Sequence, residues 1–414
     1  MSSNSLLTND IILRETMMSL KSHLVLTKNV TTEYSDQFAQ TGAKVGTTIN
    51  VRMPTRYEVT EGATLNIQGT QDQYTPLTVD KHYHVGMAFA EKDRTLSIDK
   101  FRERYIDPAT IALANKVDSQ MYKDMYKSVF SSVGVPSASA LPSTLKGFTY
   151  GKAKMSLLGA PKGTYTAIID PLVEASMVDG LKGLFQSSEQ IKKQYEEGIM
   201  GYAAGSKFMM SQNVAKHTAG AVAGSPAVKT TIAAEGATAI AVDGITGSIT
   251  GCYKKGDSIQ IAGVYAVNPQ TKESTGELAQ FVVTADTDSS SNEIASLPIS
   301  PAIYLTGPYQ NVTAYPADGA AITLFGHASN YASIVAPQNL VFHKSAFAFA
   351  SVDFELPQGG VQASRAVDKD AGLSLTMTSQ FDIVNYRTVT RLDFLGGWKC
   401  IYPELACRVV GQPA

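Results

Sequence analysis

His82 and His84 stand two residues apart, the spacing that puts two imidazoles on one face of a β-strand within reach of a single metal ion. A metal site needs at least one more ligand, and no cysteine or third histidine lies nearby in sequence. An exposed polar face is therefore the expectation, and no metal ligand is assigned. Glu196 and Glu197, preceded by Lys192 and Lys193, hold the ingredients of acid and base chemistry, but adjacent charges of both signs on one segment read as a solvated face. Residues 220–224 (GAVAG) are too short for a nucleotide loop, and neither G-x-x-x-x-G-K-[ST] nor G-x-S-x-G occurs. Ser, His and Asp form no recognisable triad order. The expectation is a chain with no catalytic residue and no cofactor, not an enzyme.

Composition narrows the classes further. The 414 residues can bury a large core, yet only 17% are charged, which fits a surface partly covered by neighbours. A formal charge of −2 excludes the basic signature of a dedicated nucleic-acid binder. Cys252, Cys400 and Cys407 are widely spaced and odd in number, so neither a disulfide scaffold nor a zinc site is expected, and a reducing compartment is the default. Near the N-terminus Asp10, Arg14 and Glu15 interrupt the apolar patch, which makes it neither a signal peptide nor a membrane span.

The elements around these residues point to assembly. Leu13, Met17, Leu20 and Leu24 share one helical stripe with Thr8 or Asn9 placed to cap it, the pattern of an amphipathic arm that docks on something. From Leu77 to Phe89 apolar and polar residues alternate, broken only by Lys81, which predicts one strand of about 40 Å, twice the usual length. Thr48 to Met53 alternates in the same way, and the polar segment 60–73 between them makes a long hairpin with a loose tip. Such a hairpin is marginal alone and should find its partners on another subunit. Arg52, Arg56, Glu58, Glu61 and Asp72 near the tip could form rim salt bridges to a neighbour, or remain solvated loop charges.

Farther along, Asp107 and Pro108 start a helix with Ile111, Ala114, Val117, Met121, Met125 and Val129 on one face, with a helical piece from Asp99 to Ile106 before it. Tyr165 to Ile169 is a short apolar strand, and Asp170-Pro171 caps a helix through Val178. From about Thr218 to Phe325 the texture changes to Ala, Thr, Gly, Val and Ser with closely spaced turns. Ala239 to Val242, Ser258 to Val267 and Gln280 to Thr284 read as short strands of an inserted all-β domain, with Gly256 and Asp257 making a tight turn. Leu373, Leu375 and Met377 alternate, and Arg387 to Phe394, a Gly396-Gly397 turn and Trp398 to Val410 read as a meander.

Taken in order, these segments resemble the major capsid proteins of tailed double-stranded DNA phages, the family with the Hong Kong 97 coat-protein fold. The arm, the hairpin at 47–90, the helix around 98–130, the Gly-rich 196–213 (EEGIMGYAAGSKFMMSQN) and the ending 393–411 (DFLGGWKCIYPELACRVVG) carry the likeness. Residues 254–264 (KKGDSIQIAGV), 281–283 and 309–312 resemble the β-barrel inserted in the short-tailed phage branch, although 221–246 is shorter than in that branch. The resemblance implies an α+β fold, Hong Kong 97-like, with an all-β insertion domain. It implies an arm at 1–45, an extended hairpin at 46–92, a spine helix and peripheral domain at 93–150 and an axial domain at 151–217. The barrel would span 218–327, with an axial return at 328–372 and closing peripheral strands at 373–414. It also implies an icosahedral shell of pentamers and hexamers around packaged double-stranded DNA, held without sequence preference. The implied partners are a scaffolding protein, a portal protein and decoration proteins, with no membrane. Assembly would occur in the host cytoplasm, followed by expansion, with Leu13, Met17 and Leu20 joining the hairpin charges at subunit interfaces. Members that crosslink do so through a Lys and an Asn, and no local motif marks such a pair here. The alternatives that remain open are a non-viral compartment shell of the same fold, a tail or fibre protein, and a hydrolase with an appended β-domain.

Overall fold

The computed structural model describes residues 9–34, 47–57, 59, 62–63, 67, 73–90, 107–137, 141–181, 201–325, 331–357, 359–368 and 372–412. The chain divides into two units, which share a helix (α2, Asp107–Met125) running from the first into the second. Helices and strands are numbered along the chain.

The first unit is organised by one strand, β20 (Arg387–Cys400), 14 residues long. Its early half pairs with β19 (Leu373–Asp382), which in turn pairs with β18 (Gln362–Asp368). Its late half pairs with β17 (Phe347–Ser351), and ten of its residues pair with β3 (Lys81–Ala90). The predicted 77–89 strand is therefore two strands. β2 (Tyr74–Thr78) pairs with β1 (Thr48–Arg52) in a hairpin with Ile49 opposite Leu77, whereas β3 leaves for the β20 sheet. The break falls at Val79-Asp80, beside the Lys81 that had interrupted the alternation, and Lys81 Nζ bonds Asp80 Oδ2 at 2.9 Å. Tyr83 of β3 stacks on Trp398 with centroids 6.5 Å apart, the only Trp of the chain.

The Gly396-Gly397 pair is not a turn but lies inside β20. A Cβ on Gly397 would overlap the Thr78 carbonyl oxygen and sit 2.8 Å from Val79 Cα, so this glycine lets the β2–β3 crossover pass directly against β20. The expected meander from Trp398 to Val410 also splits: β20 ends at Cys400, the chain enters the second unit at Tyr402, and after a 3-10 turn at Pro403–Leu405 it forms β21 (Ala406–Val409).

The second unit holds a mixed sheet, buried at its centre, in the order β4 (Ser132–Val133), β21, β16 (Asn339–Phe342), β5 (Tyr165–Ile169), β7 (Ser206–Met210), β6 (Tyr202–Ala203). β5 matches its sequence reading residue for residue and is buried throughout. Helix α3 (Lys146–Leu157) contributes Phe148 and Met155 to the core, and α4 (Pro171–Leu181) contributes Val173 and Met177. Asp170 Oδ1 accepts the Leu172 N–H at 2.8 Å, the cap its position predicted.

The all-β insertion leaves this sheet through β8 (Lys216–Thr218) and returns through β15 (Val335–Pro337), which pair antiparallel as a two-stranded stalk. Six strands follow in the order β14 (Ile322–Leu324), β11 (Ser258–Val267), β12 (Ser274–Val283), β13 (Ile294–Ile303), β10 (Ala237–Ile245), β9 (Gly224–Val228). The ends approach: Val228 N–H bonds the Ala320 carbonyl at 2.9 Å and Gly319 N–H the Val228 carbonyl at 2.8 Å just ahead of β14, so the sheet nearly closes into a barrel. Val228, Ile240, Ile259, Phe281 and Leu297 fill its interior. The fold is thus α+β with an inserted all-β domain, as expected.

Gly397→Ala is expected to destabilise the protein by about 1–3 kcal/mol, the usual cost of overpacking a close contact. Urea unfolding checks this; an unchanged midpoint would mean that the crossover does not depend on this glycine.

Candidate functional site

The arm is tied to its own subunit at three levels. In α1 (Asn9–His23) the stripe Leu13, Met17, Leu20, followed by Leu24, is buried, and Lys21 Nζ bonds Asp368 Oδ2 of β18 at 2.8 Å. Past the helix, Thr31 makes a parallel bridge to Ala348 at β17, with Thr31 N–H to the Phe347 carbonyl at 3.1 Å. Between these lies the clamp on α2. Asp118 Oδ2 accepts the N–H groups of Val25 at 2.6 Å and Leu26 at 3.2 Å, while Oδ1 accepts Thr27 N–H at 3.2 Å and Thr27 Oγ1 at 2.6 Å. Burial pushes the Asp118 carboxyl above its ordinary range, and these hydrogen bonds pull it part of the way back. Asp118 was absent from the sequence reading. Its signal is an acid on the stripe Ala114, Val117, Met121, where an unpaired charge would be costly.

At the hairpin, Ile49, Val51 and Leu77 are buried and Arg52 is exposed. Arg56 Nη2 bonds Glu404 Oε1 at 2.6 Å within the chain, so it is already engaged. Glu58, Glu61 and Asp72 lie outside the described residues, as do Lys192, Lys193, Glu196, Glu197 and the segment 99–106. Along the described hairpin positions apolar side chains face solvent: Val59 is 95% exposed, and Ile67 and Tyr74 are also exposed. A second such group, Ile383, Val384 and Tyr386, caps the β19–β20 hairpin, with Val384 88% exposed.

Where the barrel meets the mixed sheet, the contacts are polar and buried. Gln280 of β12 accepts Ser132 N–H at 2.7 Å and donates to the Ser132 carbonyl at 3.1 Å, so its amide pairs with β4 as another strand would. Asp257, at the predicted turn, accepts the N–H groups of Lys254 at 2.7 Å and Gly220 at 3.1 Å through Oδ2. Its Oδ1 lies 2.7 Å from His217 Nε2 on the stalk, and Tyr126 Oη lies 3.1 Å from His217 Nδ1. Arg408 of β21 donates to the Gly256 carbonyl at 2.6 Å, while its Nε and Nη2 have no acceptor among the described residues. Burial lowers the Arg408 guanidinium to about 10 and raises the Tyr126 phenol to about 12. Asp257, Gln280, Arg408 and Tyr126 are buried and His217 partly so, and together they pin the inserted domain.

The histidine pair is joined by a residue from far along the chain. The β3–β20 register puts Asp393 opposite His84, and His82 Nε2 lies 2.7 Å from Asp393 Oδ1. Among the described residues no helix is long and apolar enough to cross a membrane.

A subunit with a docked arm, hairpins tipped by exposed apolar side chains and an inserted barrel locked to its core belongs to the class of proteins that associate with their own copies. Residues 1–411 match the family described as P22 coat protein, gene protein 5, and the chain belongs to that family. It is a coat protein, a structural rather than catalytic subunit that self-assembles into the capsid of a virion. It is 21% identical over 426 residues to the major capsid protein of Acyrthosiphon pisum secondary endosymbiont phage 1, covering 98% of each chain. Among solved structures it is similar to one from Mycobacterium phage Che8 at TM-score 0.47 and 11% identity, over 93% of this chain and 90% of that one. It is also similar to the virus-like particle from Pyrococcus furiosus at TM-score 0.41 and 8% identity, over 96% of each.

Asp118→Ala would leave buried N–H groups at Val25 to Thr27 without their acceptor, and the expected loss is about 3 kcal/mol at neutral pH. Asp118→Asn keeps one acceptor oxygen and should lose less. Urea melts of both variants check the order, and protease sensitivity near residue 25 should rise in the same order.

Proposed function

We propose that this coat protein forms the pentamers and hexamers of an icosahedral shell around double-stranded DNA. Assembly proceeds in the host cytoplasm with a scaffolding protein and around a portal protein, and the precursor then expands on maturation. The observation that carries this reading is the placement of exposed apolar side chains at hairpin ends, Val59, Ile67 and Tyr74 in one and Ile383, Val384 and Tyr386 in the other. Scattered exposed apolar residues are ordinary, but groups of them at hairpin loops fit surfaces that copies of the chain cover. Many such contacts, each weak, add up over a closed lattice.

In this reading the hairpin at 46–92, with Arg52, Arg56, Glu58, Glu61 and Asp72, reaches a neighbouring subunit. Leu13, Met17 and Leu20 act indirectly, because they are buried in their own unit: they hold the arm so that its other face, where Met18 is exposed, meets a neighbour. Division into arm, hairpin, spine, axial, barrel and peripheral parts along the boundaries given above belongs to the same proposal. Decoration proteins would bind the outer surface. Contact with DNA would be local, salt-sensitive and indifferent to sequence, since the whole chain carries a formal charge of −2. Expansion would be a rigid-body rearrangement biased by the many interfaces.

Electron microscopy with sedimentation of the chain expressed alone, and with candidate scaffolding proteins, tests the reading. Closed shells or capsomer-like rings are expected, and a stable monomer under both conditions would overturn it. Arg52→Glu is expected to keep the monomer's circular dichroism and melting midpoint while lowering the yield of closed shells several-fold.

A further inference from the structure

The pairing of β3 with β20 completes what the His82–His84 spacing lacked. We infer that His82, His84 and Asp393 form a binding site for a divalent transition-metal ion of the zinc type, on the exposed face of the β20 sheet. His82 and His84 share a face of β3 because they are two residues apart, and the register puts Asp393 directly across from His84. One ligand atom from each of the three lies within 4.8 Å of those of the other two, and the two imidazole centroids are 6.0 Å apart. A four-coordinate ion with nitrogen and oxygen ligands at about 2.0–2.2 Å needs these atoms to converge by small side-chain rotations, with no backbone movement. Both histidines are exposed on the side from which a hydrated ion arrives, so water can supply the remaining ligands.

The surroundings resemble a built outer shell. Phe354 packs its ring 4.9 Å from that of His82, restricting the imidazole's rotation. Arg391 Nε donates to Asp393 Oδ1 at 2.8 Å, fixing the carboxylate, and Gly86 across from Arg391 presents no side chain to crowd it. Outer groups that hold a ligating carboxylate in this way are a usual part of metal sites. Arg391 also works against affinity: it competes for the carboxylate, and its Nη2 lies 3.5 Å from His82 Nε2. Imidazole and carboxylate together select zinc, cobalt, nickel or copper over magnesium or calcium. Because the ligands come from β3 and β20, a bound ion would tie the strand that follows the β1–β2 hairpin to the central strand of its unit. This site is independent of the shell reading.

Cobalt titration of the full-length chain, followed by visible absorption, reads the site directly, and zinc titration by calorimetry gives its stoichiometry. One equivalent is expected, with cobalt bands typical of low coordination number that zinc displaces. His84→Ala and Asp393→Asn should each weaken binding by at least about tenfold. Arg391→Ala should strengthen it several-fold, a result that scattered surface binding would not give. His23→Ala should leave it unchanged. Saturating zinc should raise the melting midpoint of the wild type and not of His84→Ala. Absence of cobalt bands at millimolar ion, or binding unaltered by His84→Ala, would overturn the inference.

Discussion

The first unit depends on β20. A strand in the middle of a sheet has two edges, and β20 is long enough to give different stretches of them to β3, β17 and β19. The hydrogen-bond ladders place β3, from roughly 300 residues earlier, beside β20 and its sequence neighbours β17 and β19. Close approach at Gly397 then lets the chain cross from the hairpin into this sheet without a bulge of empty space. The arm is attached to the same framework, since Thr31 bridges to β17 and Lys21 reaches β18. In the proposed shell, a hairpin and an arm that reach neighbouring subunits would need such a rigid base, because flexible ones would lose ordering entropy at each contact.

The second unit solves a different problem, holding an inserted barrel in register with the sheet from which it departs. A two-stranded stalk alone would be marginal in water. The junction adds buried hydrogen bonds at Gln280, Asp257, His217 and Arg408. Buried charges such as Arg408 contribute little net stability, and the lowered guanidinium value reflects that cost. What the junction supplies is orientation: the hydrogen bonds at Gln280, Asp257 and His217 form in one arrangement of barrel and sheet, so sliding by one residue would leave several groups unpaired.

Much of this was legible because it is local. The stripe of α1, the apolar β5, the Asp170 cap, the β11 strand and the change of texture at the insertion follow from periodicity, propensity and turn chemistry within a few residues. The misreadings share one cause. Alternation from Leu77 to Phe89 continues through a change of sheet, because both strands present one face inward, and only Lys81 hints at the break. Gly396 and Gly397 have the composition of a turn, and nothing local distinguishes it from a close strand crossing. Asp118, Gln280 and Arg408 are polar residues in apolar surroundings, which marks them as buried and paired but does not name their partners.

Sequence alone was enough to determine the class of elements, the presence of an inserted all-β domain and the resemblance to coat proteins, since these depend on short-range patterns and their order. Tertiary structure decided which strands share a sheet, because hydrogen-bond register between segments roughly 300 residues apart is a long-range property with no local signature. It also decided that Leu13, Met17 and Leu20 face inward, that the barrel nearly closes where β9 meets the segment before β14, and that Asp393 stands beside His82 and His84. Each of these is a meeting of surfaces, fixed only when the packing of the whole unit selects one pairing over the others.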